Sequence, residues 1–465
     1  MPTHSRRDLL RFAAVSAAGA ALTRADVARP IEVRVTAGSK RFAREQPLQW
    51  TPAAGESGGA VVLDPDSHFQ EILGFGAAFT DAACWMFNQL APEAREKLFH
   101  DLFDPAEMDF SVCRTCIGAS DYSRNVYSYD EGPPDPDLTR FSIEHDREYI
   151  LPMLRLGRKM NADLFLLASP WSPPGWMKPN GSMLGGSMRK KSLDAYSRYF
   201  VKFLRGYEAE GVRVDAVTSQ NEVDTDQDGR MPACLWGQEY EMEFVAAHLG
   251  PRLRIERLPA KIWILDHNYS LWGRAICELD DPDVRQHVDG IAWHGYVGTP
   301  DAMTRVHEAH PDKHAYWTEG GPAWDDPGYR TEWAKWSETF TGVLRNWARC
   351  IIGWNLALDE KGRPNIGPFN CGGLVTIDSQ TKEITRSGQY WAFAHYSRAI
   401  RRGARRFESR GELKGISHVA FANPDGSAAL VLTNTGEEQR APLRMAGLTT
   451  TVVLPADSVT TLTWK

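Results

Sequence analysis

"VDAVTSQNEVD", residues 214–224, is the stretch on which the reading of this chain turns. Val217 and Thr218 favour a strand, and the run from Ala216 ends on an amide beside a carboxylate, Asn221-Glu222. The chain has 60 acidic residues. One glutamate after one strand means little by itself, because most carboxylates sit in water. Its meaning depends on what the other strands do.

Seven further apolar runs read as strands: "ILGFGAAF" from 72, "FSVCRTCIG" from 110, "DLFLLASP" from 163, "KIWILDH" from 261, "DGIAWHGY" from 289, "HAYWTE" from 314 and "CIIGWNLAL" from 350. Between them lie segments such as "APEAREKLFHDLF", "EHDREYILPMLRLGRKM" and "SLDAYSRYFVKFLRGYEAE". These repeat apolar residues at three and four, as amphipathic helices do. In the second, Tyr149, Ile150, Met153, Leu154 and Leu156 share one broad face. Eight strands alternating with helices predict an α/β fold, a (β/α)8 TIM barrel over 70–395.

The pattern changes at both ends. "ISHVAFANPDGSAALVLTNTG" and "TTTVVLPADSVTTLTW" alternate apolar and polar residues, with Asp425-Gly426 as a hairpin turn between two runs. "IEVRVTAG" and "GAVVL" near the start read as strands too. We expect residues 30–69 and 396–465 to meet in one all-β sandwich beside the barrel. Ahead of them, "SRRDLLRF" leads a short apolar run from Phe12 to Leu22. The run is too short to span a bilayer and reads, over 1–29, as a twin-arginine (Tat-type) export signal. The expected location is therefore periplasmic or extracellular, with no integral membrane segment in the mature chain.

Composition narrows the classes. The 465 residues are 42% hydrophobic and 24% charged, ordinary for a folded protein. A net charge of -7 argues against a nucleic-acid partner. Tryptophan occurs 16 times, mostly as core filling on this reading, though an indole face also suits the apolar side of a sugar ring. Cys113 and Cys116 have C-x-x-C spacing but no second pair or nearby histidines, so they read as small residues of a buried strand rather than zinc ligands.

Barrel active sites lie where strands end and the following loops begin. Glu222 ends the fourth strand and Glu319 the seventh. Two carboxylates facing each other across a barrel mouth can cleave a glycosidic bond, one attacking the anomeric carbon while the other gives and takes a proton. Asn221 can donate to a sugar 2-hydroxyl, and Gly320-Gly321 after Glu319 permit close approach. In the resting site the charge on Glu319 should keep Glu222 protonated. No cofactor and no metal are needed.

"GFGAAFTDAA" from 74, "ASPWSPPGWMK" from 168, "SQNE" from 219, "ILDHN" from 264, "TEG" from 318 and "GWNLALDEKGRPN" from 353 together resemble glycoside hydrolase family 30, which includes the glucosylceramidases. The resemblance runs from Gly74 to the C-terminus. It implies a retaining β-glycosidase acting on a carbohydrate or glycoconjugate, with Glu222 as acid/base and Glu319 as nucleophile. It further implies Asp121, Trp171, Tyr296, Trp354 and Asn370 as substrate-binding residues. It places a glucosylceramidase-like β-glucosidase first, with a β-1,6-glucanase or β-xylosidase as the alternative. Two positions depart from the family pattern: Val223-Asp224 stand where proline usually follows the Asn-Glu pair, and Gly295 stands where tryptophan often separates His294 from Tyr296.

Two other classes remain to be weighed. Asp266-His267 and His294 also fall at strand ends, as ligands of a metal-dependent barrel hydrolase would, but the first strand offers no His-x-His. A non-catalytic glycan-binding protein could keep the fold, yet it would not need both glutamates.

Overall fold

A computed structural model describes residues 30–53 and 59–465. The export signal expected over 1–29 lies outside the described residues. Eight parallel strands close into a barrel: β1 (Gly74–Phe79), β2 (Val112–Cys116), β3 (Phe165–Ser169), β4 (Ala216–Thr218), β5 (Lys261–Asn268), β6 (Val288–His294), β7 (His314–Glu319) and β8 (Ala348–Asn355). Each pairs with the next, and β8 closes on β1 with Cys350 opposite Gly74. All eight apolar runs of the sequence became these strands.

Alternation along each strand sorts side chains into two cores. Outward residues pack under the helices in one large cluster. Inward residues Val112, Leu167, Ala216, Trp263, Ala292, Tyr316, Cys350 and Ile352 form a separate apolar layer that fills the barrel. The rings of Trp263 and Tyr316 stack in it at 3.7 Å. Cys113 belongs to the outer cluster and Cys116 to a cluster at the barrel mouth, so the C-x-x-C pair lies on opposite faces of β2 and cannot share one ion.

The segment read as one helix over 144–160 is two, Glu144–Glu148 and Ile150–Met160, broken at Tyr149 (φ -145°, ψ -24°). Pro152 explains the break, since its ring excludes the carbonyl four residues back. The break also lets the Tyr149 hydroxyl donate to buried Asp81 at 2.7 Å. Gly157 in the second helix sits so close to Phe79 that a Cβ would meet its ring at 3.2 Å, which brings this helix tight against β1.

The side domain uses both chain ends. Its sheet runs Lys40–Arg44, Pro30–Ala37, Ser458–Trp464, Ala428–Asn434, Ile416–Ala422, Arg405–Arg410, Val61–Glu71, Gln439–Met445, Leu448–Leu454 and Thr51–Pro52, folded around its own core. Gly426 takes the left-handed turn (φ 80°) of the expected hairpin. At the seam with the barrel, buried His395 from the helix Gly388–Ser397 bridges Thr36 at 2.8 Å and Thr461 at 2.9 Å. Burial pushes this imidazole down to about 3, so it is neutral at pH 7. The hydroxyls of Ser337 and Thr433 meet 2.6 Å apart, and Trp333 Nε1 donates to Asp457 O at 2.8 Å.

Candidate active site

Two residues beyond the apolar layer, the inward positions turn polar. Arg114 (β2), Ser169 (β3), Thr218 (β4), Asp266 (β5), His294 (β6) and Thr318 (β7) are all fully buried. They form one net around Asp266. Its Oδ2 accepts from Arg114 Nη2 at 2.6 Å and from the Ser169 and Thr218 hydroxyls at 2.8 Å. Its Oδ1 accepts from Thr318 at 2.8 Å and from His294 Nε2 at 3.0 Å. Burial alone would raise the Asp266 pKa, but Arg114 and His294 outweigh it and hold the carboxyl well below the usual range.

A regular β5 would aim Leu265, not Asp266, into the barrel, because Trp263 points inward. Leu265 and Asp266 instead take positive φ (71° and 45°), and the pairing with β6 slips between Leu265 and His267. This bulge adds one residue and re-aims the strand end. Asp266 then enters the net, and His267 lines the mouth directly after it.

Arg114 is the hub. Its Nη1 donates to Glu319 Oε2, its Nη2 also donates to Asn221 Oδ1 at 2.6 Å, and its Nε donates to Ser169 Oγ at 3.1 Å. The guanidinium lies 4.7 Å from the Trp171 ring. Burial opposes its charge, but Asp266 and Glu319 more than offset that and raise its pKa.

The two glutamates have different surroundings. Glu319 lies at the end of β7, with Arg114 on Oε2 and the Tyr296 phenol donating to Oε1 at 3.0 Å. Glu222 stands at φ 52°, a conformation that strains a side-chain-bearing residue. Its N–H donates to Asp266 O at 2.9 Å, tying the ends of β4 and β5 together. Glu222 Oε2 accepts from Gln227 Nε2 at 2.8 Å, and Oε1 faces His294 Nδ1 at 3.3 Å.

Charge in the net revises one expectation. Burial would lower the His294 pKa, but Glu319, Asp266 and Glu222 together push it up to about 9. The imidazolium in turn favours ionised Glu222: burial raises that carboxyl, yet the hydrogen bond from His294 and the charges of His267 and His294 hold it below the usual range. The charge on Glu319 therefore does not keep Glu222 protonated, because a charged His294 lies between them.

The His294 shift makes a prediction. A free imidazole titrates near about 6.5, and this one near 9. The stabilisation it provides is complete below about pH 6.5 and disappears as pH rises through 9. The denaturant midpoint of the native protein should fall across that window, and His294→Gln should start lower and flatten the dependence. An equal pH slope in the variant would overturn the assignment.

Asp121, Trp171, Asn221, Glu222, Tyr296, Glu319 and Trp354 line one cavity of about 370 Å³. Trp171 and Trp354 stack on each other at 5.1 Å, so one face of each is taken by the other. Asp121 Oδ1 is buried there without a partner. Burial, then the charges of Glu319 and Glu222, push its carboxyl well up, so it can both donate to and accept from a hydroxyl. Asn370 is absent from this cavity. It is exposed, and its amide donates to Asp325 Oδ1 at 2.6 Å. The reason is pairing: Ala323 and Cys371 bridge antiparallel, so Cys371 turns inward to the cavity and its neighbour Asn370 turns out.

Gly295 has a steric cause. A Cβ there would meet Trp317 Cζ2 at 2.7 Å, so the Trp317 indole already fills the space. Sequence reasoning missed Arg114, hidden in a run read only for its cysteines, and also Gln227, Met231, Phe369 and Cys371 of the lining. A lone arginine inside an apolar strand was the available signal for the first.

Donor atoms of Glu222, His267 and His294 lie within 4.8 Å of one another. A metal would need lone pairs from both imidazoles. His294, pushed up to about 9, holds protons on both ring nitrogens, with Nε2 bonded to Asp266 and Nδ1 to Glu222.

The chain is similar to known proteins. Residues 72–400 match the Glycosyl hydrolase family 30 TIM-barrel domain and residues 403–462 the Glycosyl hydrolase family 30 beta sandwich domain. An endo-1,6-β-D-glucanase of Neurospora crassa is 33% identical over 83% of this chain and 83% of its own length. The lysosomal acid glucosylceramidase of Mus musculus is 29% identical over 87% of this chain and 82% of its own. Among solved structures, an endo-β1,6-glucanase superposes with a TM-score of 0.86 at 28% identity, covering 94% of this chain and 99% of that one.

Proposed function

The chain belongs to glycosyl hydrolase family 30 and is a glycoside hydrolase, and from that premise we propose that it is a β-1,6-glucanase with Glu319 as nucleophile and Glu222 as acid/base. Similarity to the two glucanases supports this substrate ahead of the glucosylceramide expected first. One observation carries the choice. Thr225, Gln227 and His267 line the mouth beside Glu222, where the leaving group must sit. These side chains hydrogen-bond. They suit a departing sugar, whereas a ceramide would call for apolar surface.

In the proposed reaction a Glu319 oxygen attacks the anomeric carbon while Glu222 protonates the departing oxygen. Water, deprotonated by Glu222, then releases the sugar with its β-configuration retained. Arg114 and Tyr296 hold the attacking carboxylate, and Asp121 is placed to bind sugar hydroxyls.

Linear β-1,6-glucan should be cut to short oligosaccharides, with the β-anomer appearing first by NMR. Faster release of ceramide from glucosylceramide vesicles than of reducing ends from the glucan would reverse the order of substrates. Glu222→Ala should lower kcat on β-1,6-linked oligosaccharides by about 10²- to 10⁴-fold. A dinitrophenyl glycoside should still form the intermediate, and azide should turn it over to the β-glycosyl azide. An α-azide product would show that the enzyme inverts.

A further inference from the structure

Asp224, the second residue of the departure from the family pattern after Glu222, has a specific partner. Its Oδ1 lies 2.7 Å from His267 Nε2. The other ring nitrogen, Nδ1, faces Glu222 Oε1 at 3.5 Å and is buried without a hydrogen-bond partner. The β5 bulge allows this, because it turns both Asp266 and His267 toward the mouth. The imidazole thus stands between a carboxylate that is 42% exposed and one that is 13% exposed.

Glu222 has a difficulty as an acid. The His294 charge favours its ionised form, yet an acid must carry a proton. His294 is a poor source: it and Asp266, the partner of its far nitrogen, are both fully enclosed, whereas Asp224 behind His267 reaches water. His267 is better placed. With Asp224 accepting from Nε2, the ring can alternate between a proton and a lone pair at Nδ1, the atom that faces Glu222.

We propose that His267 is a positioning residue that stores the proton Glu222 delivers, with Asp224 fixing its ring and tautomer. This rests on Glu222 being the acid/base. The transfer is one proton: the N–H bond at His267 Nδ1 breaks with its electron pair left on nitrogen, and an O–H bond forms at Glu222 Oε1. Imidazolium and carboxylate become imidazole and carboxylic acid, with no change in net charge. Glu222 then protonates the glycosidic oxygen as the C–O bond breaks. The attacking water later returns one proton to Glu222, and it passes back to Nδ1.

The groups facing His267 are few. Asp224 and Glu222 reach it from the loop after β4, Asp266 precedes it on β5, and His294 on β6 lies 5.9 Å away between ring centroids. Arg274, on the helix Trp272–Asp280, acts on it through Asp224. The site therefore titrates as a unit, and what a rate profile reports is loss of the shared proton.

The test is the sign of a shift. The alkaline limb of kcat/KM for a gentio-oligosaccharide should move to lower pH by at least about one unit in His267→Gln, because a carboxyl without the imidazole titrates about two units lower. If His267 were only a positive charge beside Glu222, removing it would move the limb up. Asp224→Asn should move the limb in the same downward direction by less, and its exposed site makes misfolding a poor explanation. Above the native limb the two enzymes should act alike on the oligosaccharide, because Glu222 beside a neutral side chain exchanges its proton with solvent equally in both, and a 2,4-dinitrophenyl gentiobioside, whose leaving group needs no proton, should respond little at any pH. A limb that rises or stays in place, or equal losses on both substrates, overturns the reservoir. Glu222→Ala separates the two readings: without an azide product the acid/base assignment falls and the reservoir with it. A normal azide product beside an unmoved limb removes the reservoir alone.

Discussion

Glu319→Gln is expected to lower kcat/KM by about 10⁴-fold or more on every substrate, activated or not. The amide keeps the shape of the side chain, though its single carbonyl oxygen can accept from Arg114 or from Tyr296 but not from both. What it lacks is the charge that attacks the anomeric carbon. This sets it apart from Glu222→Ala, whose loss should depend on the leaving group. In the native protein a 2-fluoro glycoside with a good leaving group should trap the intermediate, and the labelled peptide should contain Glu319. Label on another carboxylate would displace Glu319 from the nucleophile's role.

Arg114→Met should damage stability and activity together. The methionine fills much of the volume but leaves Asp266 buried without its main cation. Breaking a buried pair in this way costs about 3–5 kcal/mol. The same change frees Asn221 Oδ1 and Glu319 Oε2 from the group that places them. Arg114→Lys should not restore either property, since one ammonium cannot reach Asp266, Glu319, Asn221 and Ser169 from one point as the guanidinium does. Denaturant titration and kcat/KM check this prediction. A stable, active methionine variant would show that His294 and the hydroxyl donors can hold Asp266 without Arg114.

The barrel was legible because its strands are short apolar runs spaced by amphipathic helices, and each run has one dominant reading. Glu222 and Glu319 were legible for a related reason: strand ends are where barrel loops begin. Asp266 and His267 could be seen as chemically capable, but not assigned partners. Their orientation depends on a one-residue bulge, and nothing in "KIWILDH" announces positive φ at Leu265. Asn370 was misplaced for the mirror-image reason. One step of register in the Ala323–Cys371 bridge exchanges the residue that faces the cavity for the one that faces water. The break at Tyr149 was readable from Pro152 but hidden by the unbroken apolar face around it. Substrate preference was read toward glucosylceramide because family motifs report the sugar side of the pocket. On the proposed assignment the leaving-group side includes Thr225 and Gln227, on a loop that carries no periodic signal.

The strand Pro30–Ala37 lies between Lys40–Arg44 and Ser458–Trp464. Its long-range partner is thus made only after the whole barrel. On a translating ribosome the barrel can close once β8 and its helix have emerged, while Pro30–Ala37 still has an open edge facing solvent. Thr36 and Thr461, the two partners of His395, come together only at the same late moment. A chain that stalls or is clipped shortly before Ser458 would keep every residue of the active-site net and still expose two strand edges, those of Pro30–Ala37 and Ala428–Asn434. Such a product should be prone to pair with its own copies even though its catalytic net is whole.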